Sequence, residues 1–177
     1  TVDITQRPLD LGASRIYDGT TTINTGTGIG AVSFAGALES DGGSNDLLVI
    51  TSGAGDVTFT GAVGATNALG GLDVNSSAGD GDITFSSTIG DSGNAGVVGT
   101  TAIGGTATED VNLAGLIYKF DGGTTTITTT SGENIELGAT AATTIASAGE
   151  SLTFATGTID LSVSYTHLRA HETPINL

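Results

Sequence analysis

Asp56-Val57-Thr58-Phe59 returns as Asp82-Ile83-Thr84-Phe85, 26 residues later. The same shape recurs on both sides of this pair. Ala31-Val32-Ser33-Phe34 precedes it. Asp110-Val111-Asn112-Leu113, Asn134-Ile135-Glu136-Leu137 and Ser151-Leu152-Thr153-Phe154 follow it. In each, two apolar residues flank a small or polar one. That is the period-two alternation of a strand with one buried face. The first apolar residues stand 25, 26, 28, 24 and 17 apart. A unit of that length is too short to bury a core alone. It fits one coil of a solenoid, which buries its face only by stacking on the next coil.

Other segments keep the same step. Leu48-Val49-Ile50 corresponds to Leu72-Asp73-Val74, and Ala62-Val63 to Thr88-Ile89. Tyr17-Asp18-Gly19-Thr20-Thr21-Thr22-Ile23 is echoed by Phe120-Asp121-Gly122-Gly123-Thr124-Thr125-Thr126-Ile127. Each coil therefore holds two or three short strands, with turns marked by Gly, Asp and Asn. The expected fold is all-β: a right-handed parallel β-helix of about six irregular coils. Phe34, Phe59, Phe85 and Phe154 are expected to form one internal ladder, beside Val32, Val57, Ile83, Val111 and Ile135. The alternative is a set of antiparallel β-sandwich modules, which predicts no identity at 25-residue spacing. Residues 1–25 read as the end of a preceding β module or an N-terminal coil, 26–162 as the solenoid, and 163–177 as a tail of different composition.

Composition agrees with that class. Of 177 residues only 13% are charged and 29 are Gly. Disordered chains pair low hydrophobicity with high charge, whereas here the polar residues are small and neutral. There is no Cys, hence no disulfide framework and no thiolate metal site. The absence of Met predicts a processed product or an internal fragment, continuing into further repeats of a longer chain. No apolar run approaches the roughly 20 residues of a membrane-spanning helix, and the first residues do not resemble a secretion signal. Net charge is −15, from 19 acidic and 4 basic residues. Such a chain is expected to repel nucleic acid and anionic lipid.

The stretch Asp56–Ile89, "DVTFTGAVGATNALGGLDVNSSAGDGDITFSSTI", resembles the large repetitive exoproteins related to filamentous haemagglutinin. Val2–Ile23, "VDITQRPLDLGASRIYDGTTTI", is similar to their YDG-type module. The resemblance spans about residues 1–162. It implies a secreted or bacterial cell-surface location, adhesion to glycans or proteins of a host or neighbouring cell, and no catalytic residues. Val163–Leu177, "VSYTHLRAHETPINL", resembles translated sequencing-adapter sequence; otherwise it reads as a short capping helix.

The candidate chemistry is sparse. Asp41–Ile50, "DGGSNDLLVI", resembles an incomplete calcium-binding nonapeptide. Asp41 and Asp46 are thus candidate Ca²⁺ ligands, joined by the carboxylate pair Asp80 and Asp82. Read as turns, these are ordinary Asp-Gly corners. Glu109 with Asp110, or Asp80 with Asp82, has the composition of a polysaccharide-cleaving pair, although such a pair must face across a cleft. Lyases usually add a cation, and Arg7, Arg15 and Lys119 fall outside the regular central coils. His167 and His171 stand four apart in the tail without the Glu of a zinc protease. No enzyme and no cofactor are expected. The expected function is structural or adhesive, with contacts made by loop insertions such as Gly90 to Thr108. A carbohydrate-active β-helix and a calcium-ordered repeat are the alternatives.

Overall fold

The computed structural model describes residues 9–11, 15–17, 19–42, 46–121, 123–137, 144–147, 152–155 and 158–161. The array opens with β1 (Leu9–Leu11), β2 (Arg15–Tyr17) and β3 (Thr21–Asn24). The next coil holds β4 (Val32–Phe34), β5 (Leu38–Ser40) and β6 (Leu47–Thr51). Two coils carry two regular strands each: β7 (Val57–Phe59) with β8 (Gly71–Val74), then β9 (Ile83–Phe85) with β10 (Thr101–Ile103). A fourth coil has β11 (Val111–Leu113), β12 (Ile117–Phe120) and β13 (Thr125–Thr128). The last strands are β14 (Asn134–Leu137), β15 (Thr144–Ser147), β16 (Leu152–Ala155) and β17 (Thr158–Leu161).

These strands stack into three faces. Face A is a seven-stranded sheet in the order β1-β4-β7-β9-β11-β14-β17. Face C is six-stranded, in the order β16-β13-β10-β8-β6-β3. Face B has two paired strands at either end, β2-β5 and β12-β15. Between them it is carried by isolated bridges, Leu38 to Val63 to Ile89 to Tyr118. Every strand pairing among the described residues is parallel. That excludes the antiparallel sandwich and establishes a parallel β-solenoid. The described strands from β4 to β13 make about four turns, slightly fewer than the six read from the sequence.

The register matches the repeat residue for residue through the centre. Val32, Val57, Ile83, Val111 and Ile135 are consecutive Cα partners. All five are fully buried. Two positions on, Phe34, Phe59 and Phe85 stack at centroid distances of 4.9 and 4.4 Å, with planes within 5°. That spacing is set by the parallel strands themselves, roughly 4.8 Å apart. The column then changes to Leu113 and Leu137. Tyr118 on face B turns its edge to Phe85, 6.5 Å away at 89°. Its hydroxyl donates to the Phe85 carbonyl at 2.9 Å and accepts the Gly115 N–H at 2.7 Å. Desolvation by burial raises its pKa, so the phenol stays a donor.

One expected strand belongs elsewhere. Leu152-Thr153-Phe154 does not continue face A. It pairs with β13 on face C, with Phe154 opposite Ile127. The next rung of face A is β17, where Ile159 follows Ile135 after 24 residues. The Phe match misled the sequence reading at the point where the spacing fell to 17. Gly90 to Thr108 is likewise not an insertion: it contains β10 and the bridge residue Val97, which contacts Leu69 and Phe120.

The corners allow the close stacking. A Cβ on Gly81 would lie 2.5 Å from the Gly55 carbonyl, and one on Gly55 2.4 Å from Gly30, so these two corners require glycine. Asn75 adopts φ 56° at the corner after β8. It is buried, and its side chain makes paired 2.9 Å hydrogen bonds with the Ser52 N–H and hydroxyl. Asn is among the few non-glycine residues that tolerate this conformation.

The inner column of face C changes character along the rod: Leu48, Leu72, Thr101, Thr125. Both threonines are fully buried and their hydroxyls have no hydrogen-bond partner. An unpaired buried hydroxyl costs about 1–3 kcal/mol. Thr101→Val keeps the shape and removes the hydroxyl. It is expected to stabilise the fold by about 1 kcal/mol, read as a higher melting temperature by circular dichroism.

Candidate functional site

The acidic residues gather at turns, where parallel strands leave main-chain N–H groups without sheet partners. The turns from face C to face A, 24–31, 51–56, 75–82 and 104–110, carry the densest set. Asp56, Asp82, Asp110 and Asn134 occupy equivalent positions just before the first apolar residue of each coil. The Asp56 carboxylate accepts the Asp82 N–H at 3.2 Å. Asp82 in turn accepts the Asp110 N–H at 3.1 Å, and Asp110 accepts the Asn134 N–H at 2.8 Å. The main-chain carbonyls of the same residues serve the preceding coil. Val57 N–H donates to the Asp82 carbonyl at 2.8 Å and Ile83 N–H to that of Asp110 at 2.9 Å. Each Asp thus ties the coil before it to the coil after it.

This ladder was visible in the sequence as the recurring Asp or Asn ahead of Val or Ile, but its acceptor role was missed. Asp82, a calcium candidate, belongs to it. Asp80 lies two residues earlier, exposed, with its main-chain carbonyl accepting the Glu109 N–H at 3.1 Å. Glu109 is exposed at the same edge. The Asp82 charge, with lesser contributions from desolvation, Glu133, Asp80 and Asp56, raises its pKa above the ordinary glutamate value. These carboxylates therefore form one line of mutual repulsion along the rod.

The other two calcium candidates lie apart, in the turn from β5 to β6. Asp46 is buried. It accepts the Ser40 hydroxyl, the Gly19 N–H at 2.7 Å and the Asp41 N–H at 3.2 Å. These bonds, led by Ser40 and then Gly19, lower its pKa below the ordinary aspartate value. Its carboxylate is occupied in closing the turn. Asp41 contributes its N–H to that closure while its side chain is at an exposed position. Residues 43–45 between them lie outside the described set, as do Arg7 and both histidines, His167 and His171.

The same use of carboxylates recurs on the other faces. Glu39 accepts the N–H groups of Thr66 and Asn67 at 3.1 and 2.8 Å. Asp91 accepts those of Gly93 and Asn94, both at 2.6 Å. The Asn94 and Gly93 N–H groups lower the Asp91 pKa, with a smaller share from the charge of Lys119, expected outside the regular coils but placed in β12 on face B.

A groove runs over the face C to face A turns across four coils, with a volume of about 600 Å³. Asn24, Thr27, Ala54, Ala78, Asp80 and Ala107 are among the residues that line it. Among the described residues that line it there is no aromatic and no basic side chain. Among the described residues, no three acidic or histidine side chains converge as ligands of one metal ion. No helix of the described residues is long and apolar enough to cross a membrane.

Comparison with known proteins found no matching family model, no matching curated protein and no matching solved structure.

The two kinds of carboxylate predict opposite responses to pH. Asp46 has a lowered folded pKa, so its stabilisation is present above about pH 4 and lost as pH falls through that folded value. Asp46→Asn is expected to lower the melting temperature at pH 7, by a margin that shrinks below about pH 4. Glu109 has a raised folded pKa, so its charge destabilises the fold at neutral pH and the penalty disappears on protonation. Glu109→Gln is expected to raise the melting temperature at pH 7 in low salt. Thermal melts across pH and ionic strength should show that gain fading toward pH 4 and in high salt.

Proposed function

We propose that this chain is a rod segment of a large secreted or surface-exposed bacterial repeat protein, structural or adhesive in role and not enzymatic. The observation that supports this most directly is the unbroken register from Val32 to Ile135. Each coil completes its core only on its neighbours, so the architecture extends by addition and holds a fixed length. In each of the two carboxylate pairs with the composition of a polysaccharide-cleaving site, one member is occupied with a main-chain N–H group, Asp82 with that of Asp110 and Asp110 with that of Asn134. The resemblance of Asp56–Ile89 to haemagglutinin-like exoproteins adds the surface location and the adhesive role. Partners on this reading are glycans or proteins of a host or neighbouring cell.

Display of the chain on a non-adherent bacterial carrier tests the proposal. Attachment to cultured cells or to glycan-coated surfaces is expected to rise above that of the bare carrier, while the purified chain releases no fragments from a polysaccharide panel. Polysaccharide cleavage that Glu109→Gln abolishes would overturn the reading in favour of a carbohydrate-active β-helix.

A further inference from the structure

We draw no further inference here: the strongest candidate, the groove of small residues over the face C to face A turns, has Asp80 as its one acid among the described residues that line it, and nothing in the structure shows what covers it.

Discussion

Parallel stacking at one fixed register is the constraint from which the rest follows. Each strand of a parallel sheet must meet its neighbour with every apolar residue at the same depth, because a slip by one residue turns the buried set outward. The strands here are only three to five residues long. More of each coil is therefore turn than strand, and each turn leaves N–H groups that the sheet does not pair. Carboxylates fill that need: Asp56, Asp82, Asp110 and Glu39 between coils, Asp91 within a corner, and Asp46 in both ways. Hydrogen bonds to an ionised acceptor are stronger than neutral ones. Much of the acidity of the chain is thus a consequence of its architecture.

The interior obeys the same rule of repetition, with local exchanges. Three phenylalanines stack with nearly parallel planes, then Leu113 replaces the fourth ring. The same coil brings Tyr118 in from face B, edge-on to Phe85. A large side chain is lost on one face and gained on another, which keeps the narrow core filled. The exchange of Leu72 for Thr101 lacks such compensation, since the hydroxyl that replaces apolar volume has no partner.

Much of this was legible beforehand because a solenoid repeats its own instructions. The pairs Leu48 with Leu72, Ile50 with Val74 and Val63 with Ile89 could be read from spacing, and each is a register partner. Reading failed where chemistry and spacing disagreed. Phe154 looked like the next member of the aromatic column, yet the 24-residue step selects Ile159. Val97 was hidden in a Gly-rich segment because a single bridge residue has no alternation to display. The site was less legible than the fold. That Asp recurs ahead of the first strand is a pattern in one dimension. That its carboxylate reaches the N–H of its own counterpart one coil later is a fact of stacking. The groove, too, draws on four separate turns and exists only once they are superposed.

Face B differs from the other two in one respect that bears on mechanics. Faces A and C are continuous sheets along the array, whereas the middle of face B is tied by single bridges at Val63, Ile89, Leu69 and Val97. Bending resistance in such an object comes from hydrogen bonds running along its length. The single bridges of face B still carry such bonds, since the Val63, Leu69 and Ile89 N–H groups donate to the Thr88, Gly96 and Ile117 carbonyls of the next coil, so the rod is held against bending on all three sides. A load along the axis is therefore shared around the perimeter, by strands on faces A and C and by bridges on face B.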